Sequence, residues 1–197
     1  MKKLGFTLAE VLITLAILGV VAALTIPTLM ADSRYQLISS RLTKFMSTTE
    51  DAALAYAAMN STINAGSFDN IILYKDRSGT EGAYTYRLKD NTSLTIGTSE
   101  DSTLLPTEFN NPEKYGNVVC TLAFQPNVNG LTTVQDTYNF VLTDKGFVVP
   151  NNNDDCLMEL FKPKDSNGGE KNAWKMTKTL AGGTCKKTST PSPEPEG

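Results

Sequence analysis

The first third of the chain has a long uncharged run followed by a helical stripe of apolar residues. No charged residue occurs between Val11 and Ala31, a run that reads VLITLAILGVVAALTIPTLMA. At about 1.5 Å per residue in a helix, this run spans a hydrocarbon layer of about 30 Å. Beyond it, apolar residues recur at spacings of three and four, which predicts an amphipathic helix. The stripe consists of Tyr35, Ile38, Leu42, Phe45, Thr49, Ala52, Tyr56 and Met59.

Together the two segments predict one continuous helix from Phe6 to Met59, about 80 Å long at the same rise per residue. It is predicted to end in the turn-forming residues 60–66. Pro27 is predicted to kink or locally melt it, because proline removes a backbone donor and clashes with the preceding turn. The charged residues predicted to face water or neighbouring subunits are Arg34, Arg41, Lys44, Glu50 and Asp51.

The rest of the chain consists of short β-rich runs separated by Gly, Asn, Asp and Pro, which predicts an antiparallel sheet. Residues 140–149 are predicted to form a hairpin around Asp144-Lys145-Gly146. The predicted strands are 71–75, 83–89, 93–97, 117–125, 138–143 and 146–149. The pattern alone indicates a long helix followed by a β-rich domain.

Composition excludes several kinds of chemistry. The chain has 18 basic and 21 acidic residues, a net charge of -3, and no histidine. The commonest general base and metal ligand is therefore missing, which excludes histidine-dependent hydrolases and zinc enzymes. The cysteines, Cys120, Cys156 and Cys185, are too far apart for a CxxC redox pair or a zinc knuckle. We predict that the protein is not an enzyme; the alternative, a membrane-tethered enzyme, has no supporting signature.

The flanks of the uncharged run set its predicted orientation. Lys2 and Lys3 precede it, and because positive flanks stay in the cytoplasm, the N-terminus is predicted to lie inside and the head outside. A secretory signal peptide has a shorter apolar core, whereas apolar residues continue here to Met30. A lipoprotein signal needs a cysteine at the end of the run, and the first cysteine is Cys120.

Glu10 is an acid at the start of this apolar segment, between Phe6-Thr7-Leu8-Ala9 and Val11-Leu12-Ile13. Ionisable residues at bilayer depth are costly and are functional candidates by default. The alternative is that the carboxylate extends to the cytoplasmic interface beside Lys2 and Lys3.

The residues around Glu10 resemble a known leader. Met1-Lys2-Lys3-Leu4-Gly5, then Phe6 to Glu10, then an apolar run carrying Gly19 and Pro27, resembles the class III leader and N-terminal helix of type IV pilins and type II secretion pseudopilins. The resemblance implies cleavage between Gly5 and Phe6 by prepilin peptidase, N-methylation of Phe6, and assembly through Glu10 and the helix around Pro27. It also implies an α+β fold in which the distal half of the helix packs on the antiparallel sheet.

Cleavage after Gly5 would create an α-amino group one helical turn from Glu10, mostly protonated at neutral pH. The amine could pair with Glu10 of the same subunit. A neighbouring subunit could instead present its own Phe6 amine to this Glu10 and so fix the axial stagger between subunits.

The resemblance implies a structural subunit of a type IV pilus or a type II secretion pseudopilus. The implied partners are copies of itself and other pilins, prepilin peptidase, an assembly ATPase with its inner-membrane platform, and membrane lipid. The subunit is expected to be a single-pass protein of the inner membrane that later enters an extracytoplasmic filament. The expected segments are a leader (1–5), a transmembrane and assembly helix (6–31), an amphipathic helix (32–60), a β-rich head (61–187) and a disordered tail (188–197).

A run of oxygen donors in the head is a candidate calcium site, the one cofactor considered. The candidate ligands are Asp144, Asn151, Asp154 and Asp155. The run is similar to the calcium loop of major pseudopilins in an imperfect register. The same residue types also make turns, which is the favoured interpretation.

Cys156 and Cys185 enclose a C-terminal segment and could form a disulfide in an oxidising compartment. A disulfide loop there resembles the C-terminal loop of many pilins. Cys120 has the setting of a buried strand residue with an inert thiol, although its pairing with either other cysteine stays open.

Residues 162–187 carry seven lysines against Asp165 and Glu170, a local balance of +5. With Trp174 beside Lys175, this segment suggests an alternative function, a minor pilin that binds a ligand at the filament tip as an adhesin or DNA receptor. A solvated lysine-rich loop is the favoured interpretation, and nucleic acid is the less favoured partner, because no arginine or repeated aromatic platform accompanies the lysines.

Overall fold

The protein is an α+β molecule built on one very long helix. The computed structural model describes residues 7–60, 63–80, 82–128, 135–163, 174–178, 180 and 185. Helix α1 runs from Leu8 to Asn60 and contains 53 residues. The predicted long helix is therefore confirmed over the residues that the structure describes. It continues through Pro27, so the local melting expected there is not present.

Short elements follow α1. The helices are α2 (Phe68–Ile71), α3 (Pro112–Tyr115) and α4 (Asp155–Leu160). Turns of 3₁₀ helix lie at Ala65–Ser67, Ser102–Leu104 and Thr107–Phe109. The strands are β1 (Tyr74–Thr80), β2 (Ala83–Leu88), β3 (Ser93–Thr98), β4 (Val118–Gln125), β5 (Tyr138–Thr143), β6 (Val148–Pro150), β7 (Phe161–Pro163) and β8 (Trp174–Met176).

Strands β1 to β6 form a single antiparallel sheet in which each strand pairs with its sequence neighbours. The predicted antiparallel architecture is confirmed. Because the strands alternate in direction, the β2–β3 turn, the end of β4 and the start of β5 lie at one end of the sheet. The β5–β6 turn lies at the other end. Strands β7 and β8 form a separate two-stranded ribbon.

The second half of α1 provides one side of the core. Tyr35, Ile38, Leu42 and Phe45 of the predicted stripe are buried, whereas Met59 is 78% exposed. Glu50 was expected to face water and is instead 1% exposed. It lies one helical turn from Met46 and Ala53, which are also buried, so the buried face is wider than the stripe and includes Glu50.

The sheet provides the other side of the core. In β4, alternate residues are buried, as a strand with one covered face requires. The Phe45 ring stacks on Phe124 with a centroid distance of 4.2 Å and lies 5.3 Å from the Phe140 ring. Strand β5 is buried at both alternating positions along most of its length, and α4 lies against it. These contacts join the head and the helix into one core.

The first predicted strand was wrong in position. Ile71 ends α2, and β1 is the polar segment Tyr74–Thr80, most of which is exposed. Hydrophobic periodicity could not locate this edge strand because it has almost no apolar residues. It is held by polar contacts instead: Arg77 forms an ion pair with Asp69, and the Tyr86 hydroxyl donates to Asp69 at 2.9 Å.

The predicted hairpin around Asp144-Lys145-Gly146 is present, and its turn packs on α1. Gly146 has φ +92°, and a Cβ on it would lie 2.8 Å from the backbone carbon of Ala53. At the opposite end of the sheet, Arg41 donates to the carbonyl of Pro126. Helix α1 therefore runs along the sheet from the Pro126 end to the Gly146 end.

We predict that Gly146→Ala lowers the free energy of unfolding by about 2 to 4 kcal/mol. The cost of a positive φ for alanine and the cost of a steric clash with the α1 backbone add to each other. Gly82 also has positive φ (+89°) but no backbone within 4 Å of its Cβ position. Gly82→Ala should therefore cost only about 1 to 2 kcal/mol. Denaturant unfolding of the detergent-solubilised chain measures both, and equal losses would contradict the tight turn–helix approach.

Candidate assembly site on the N-terminal helix

A reciprocal cap closes the start of α1. The Glu10 carboxylate accepts hydrogen bonds at Oε2 from the Thr7 backbone N–H at 2.8 Å and from the Thr7 hydroxyl at 2.9 Å. The Glu10 backbone N–H donates to Thr7 Oγ1 at 3.3 Å. A threonine before the first helical residue and a glutamate three residues later form a capping box. The spacing Thr-x-x-Glu is a signal for this cap that is visible in the sequence but was not among the features predicted above.

Both hydrogen bonds that the Glu10 carboxylate accepts from Thr7 engage the same oxygen, Oε2. A carboxylate offers about four lone-pair positions on two oxygens. The cap therefore leaves acceptor capacity for a second partner. Gly5 and Phe6, the predicted processing residues, lie outside the described residues.

The first half of α1 buries no large apolar side chain within the part of the chain that the structure describes. The exposed fractions of these side chains range from 44% at Val11 to 79% at Leu8. By length and composition this half of the helix is able to cross a membrane. A helix that is apolar all round is covered by lipid or by other helices. The residues concerned are Leu8, Val11, Leu12, Ile13, Leu15, Ile17, Leu18, Val20, Val21, Leu24, Ile26, Leu29 and Met30.

Hydroxyl groups in this half bond back to the helix itself. Thr14 donates to the Val11 carbonyl at 2.9 Å, and Thr25 donates to the Val21 carbonyl at 3.0 Å. Thr28, next to Pro27, donates to the Thr25 carbonyl at 2.8 Å. Such bonds satisfy the hydroxyls internally, as an apolar environment requires.

Comparison with known families identifies the start of the chain. Residues 1–26 match the family model of the prokaryotic N-terminal methylation motif. The chain carries a class III prepilin leader. A leader of this kind with a membrane-capable helix behind it is typical of type IV pilins and pseudopilins, a family of structural subunits. No curated protein and no solved structure is similar enough to the whole chain to match it.

The head contains a disulfide. Cys156 at the start of α4 and Cys185 are bonded, with an S–S distance of 2.00 Å. Cys120 in β4 is a buried free thiol. Burial raises the pKa of the Cys120 thiol to about 12, so it stays protonated at neutral pH. The bond ties the C-terminal segment of the head to α4.

The predicted calcium ligands are divided between two places in the head. Asp144 lies in the β5–β6 turn, where its Oδ1 accepts from the Asn117 N–H at 3.0 Å. Asn151 and Asp154 follow β6, and Asp155 begins α4. Among the described residues, no three His, Cys, Asp or Glu side chains are grouped to hold a metal ion. Calcium binding stays a prediction.

Asp154 has a structural role as the N-cap of α4. Its Oδ1 accepts from the Leu157 N–H at 3.1 Å, and its Oδ2 accepts from the Asn139 N–H at 2.8 Å and from Gln135 Nε2 at 3.0 Å. The side chain is 5% exposed. A buried carboxylate surrounded by neutral N–H donors holds three segments together.

The lysine-rich segment falls largely outside the described residues. Within its described part, Lys178 Nζ lies 3.1 Å from Glu159 Oε1, and Lys162 Nζ donates to the Met158 carbonyl at 3.0 Å. Trp174 lies in β8, paired with Pro163 of β7. These contacts tie the ribbon to α4.

We predict that Asp154→Ala lowers the free energy of unfolding by about 2 to 4 kcal/mol, since it removes a helix cap and leaves buried donors unsatisfied. Asp155→Ala is the matched control, because that neighbouring side chain is exposed and should change stability by less than about 0.5 kcal/mol. Denaturant unfolding of the full chain in detergent measures both. Similar losses for the two variants would contradict the capping role.

Proposed function

We propose that this chain is a structural subunit of a type IV pilus or a type II secretion pseudopilus. It is stored in the inner membrane by α1, with the N-terminus in the cytoplasm and the head outside. Prepilin peptidase cuts between Gly5 and Phe6, and Phe6 is N-methylated. The observation that carries the proposal is an exposed apolar half-helix that begins with the methylation motif and a capped glutamate.

Lateral packing of apolar half-helices drives assembly in this proposal. Each helix leaves the membrane and exchanges lipid contacts for contacts with neighbouring helices. Packing between apolar surfaces is not selective about axial position, because one apolar turn resembles the next. A polar interaction within the apolar layer supplies that selection.

Glu10 is the group proposed to set the axial position. Cleavage before Phe6 creates a cation, and the spare acceptor capacity of the Glu10 carboxylate accepts the Phe6 amine of a neighbouring subunit. A subunit shifted by one helical turn would leave that carboxylate and amine unpaired in an apolar environment. The free-energy cost of such a shift favours the axial position in which the carboxylate and the amine are paired.

The partners in this proposal are copies of the chain and other pilins, with an assembly ATPase and an inner-membrane platform. The contribution of Pro27 is proposed to lie in the packing of the half-helix between neighbours, since the helix is unbroken there. No contact of the described residues favours a ligand-binding tip function over a structural one.

Processing predicts a defined mature end. The subunit purified from filaments should begin at Phe6 with a methylated amine, and Gly5→Val should keep the leader because the residue before the cut is no longer small. Intact-mass and N-terminal sequencing of filament and membrane fractions measure this. A filament subunit that begins at Met1 would contradict the proposal.

Substitutions at Glu10 separate capping from charge. Glu10→Gln keeps a side-chain oxygen that can cap Thr7 but removes the negative charge. If the charge sets register, Glu10→Gln and Glu10→Ala are both cut by prepilin peptidase, and neither enters filaments. The measurement is the amount of subunit in sheared filaments relative to the membrane.

Thr7→Val is the matched control, because it removes the hydroxyl from the cap while the Glu10 charge stays. It should be incorporated more efficiently than Glu10→Gln. Normal filament content for Glu10→Gln would show that the carboxylate only caps the helix.

A further inference from the structure

A groove between α1 and the sheet combines an apolar floor with a basic rim. Its volume is about 390 Å³. Phe45, Ile71 and Phe124 line the floor, and Arg41, Lys44 and Lys89 line the rim. Leu73, at the mouth, is 79% exposed. We call this surface the basic groove.

The rim creates a positive field at the groove. Asp90 is the acid that lines it. Partial burial works against ionisation of Asp90, yet hydrogen bonds from the Thr92 hydroxyl and N–H, together with the charges of Lys44 and Arg41, hold its pKa below the usual value. The groove with its one acid and three basic side chains is therefore a net positive surface.

A negative surface lies on the outer side of α4. Asp155 and Glu159 are four residues apart, so both lie on one face of this helix, and both are exposed. Met158 is half-buried and lies beside Asp155 on the same helix, one turn away, so it gives this face an apolar border. The adjoining cleft has a volume of about 530 Å³, and Asp136 and Asp154 also line it. We call Asp155, Met158 and Glu159 the acidic face.

The ion pair between Glu159 and Lys178 does not neutralise this face. Both side chains are about half exposed, at 47% and 58%. Exposed pairs of this kind contribute little to stability, because both charges are solvated and screened. Glu159 is thus available to a second cation.

The two surfaces lie at opposite edges and the same end of the sheet. The basic groove is at the β2–β3 turn, near the β1 edge, and the acidic face follows β6, the other edge strand. Both are at the Pro126 end, where α1 enters the head. Subunits arranged side by side around a bundle of α1 helices present opposite edges to each other at this level.

The height of the groove above the membrane favours a protein partner. Arg41 is about ten residues beyond Ala31, which places it about 15 Å past the end of the apolar run. The headgroup layer extends only about 5 to 8 Å beyond the hydrocarbon. A membrane surface would lie below the groove rather than against it.

We propose that the basic groove of one subunit receives the acidic face of α4 from the next, in a lateral contact that rests on the proposed filament function. The apolar floor meets Met158, and the rim lysines meet Asp155 and Glu159. Because different surfaces of one chain meet, the contact is heterologous, and it propagates from copy to copy as an open helical array when the rotation between copies does not close a ring. It would fix how the heads are rotated about the filament axis, which packing of the α1 helices alone does not specify.

Charge reversal in full-length chains in the native host tests the contact. Lys44→Glu with Lys89→Glu, or Asp155→Lys with Glu159→Lys, places like charges together and should lower the subunit content of sheared filaments at least about tenfold. All four substitutions together should restore most of that content. The matched controls reverse the same charges elsewhere: Lys114→Glu with Lys145→Glu, and Glu100→Lys with Glu108→Lys.

A cross-link locates the contact directly. Lys89→Cys with Glu159→Cys in one chain should give a ladder of thiol-linked multimers in filaments, whereas Lys89→Cys with Glu100→Cys should not. Filaments unaffected by both reversals, or a loss that the fourfold variant does not restore, would overturn the contact.

The Glu10 variants distinguish failure of the head contact from failure of the proposed register mechanism. If Glu10→Gln blocks incorporation while the charge reversals have no effect, filament assembly stands and the head contact is wrong. If Glu10→Gln assembles normally, the proposed register mechanism fails independently of the heads.

Discussion

A helix that is apolar on every side must be covered, and the first half of α1 is not covered by its own chain. Full burial of one Leu, Ile or Val side chain contributes about 1.5 to 3 kcal/mol, while the net stability of a whole domain is about 5 to 15 kcal/mol. Covering even several of the exposed side chains between Leu8 and Met30 therefore outweighs the folding stability of the head. The state of the molecule depends on what covers this half-helix, which is either lipid or the same segment of other subunits.

The head follows the position of α1 because it shares a core with that helix at three levels. The Ser39 hydroxyl accepts from the Leu180 N–H at 3.0 Å, the Phe45 ring stacks on Phe124, and the Gly146 turn packs on the Ala53 backbone. Such contacts leave no simple hinge between the lower part of the head and the helix. In the proposed filament, an axial position set near Glu10 would therefore be transmitted to the head, so that pairing near the N-terminus would select which surfaces meet at the level of Arg41.

Much of this architecture was predictable from sequence, because α1 and the central strands have strong periodicity. The uncharged run, the stripe beginning at Tyr35 and the alternation in β4 each follow from the pattern of apolar residues. The polar edge strand β1 and helix α4 were missed for physical reasons: β1 is held by Arg77 and Asp69 rather than by apolar burial, and α4 is a single short helix set by its cap. Glu50 was misplaced because a stripe of single residues underestimates the width of a buried face. The basic groove could not be predicted, since it joins residues of α1 to the distant β2–β3 turn.

The position of the cap relative to the cleavage site explains how one carboxylate can serve both folding and assembly. A helix that begins in an apolar layer has unpaired N–H groups, which are expensive there. Thr7 and Glu10 satisfy part of this need, and the helix dipole favours a negative charge at this end. Both residues follow the proposed cut between Gly5 and Phe6, so processing would leave the cap in place and add a cation beside it. In this proposal cleavage changes the charge at the start of the helix while both capping residues stay in place, and such a change can mark a subunit as ready for assembly.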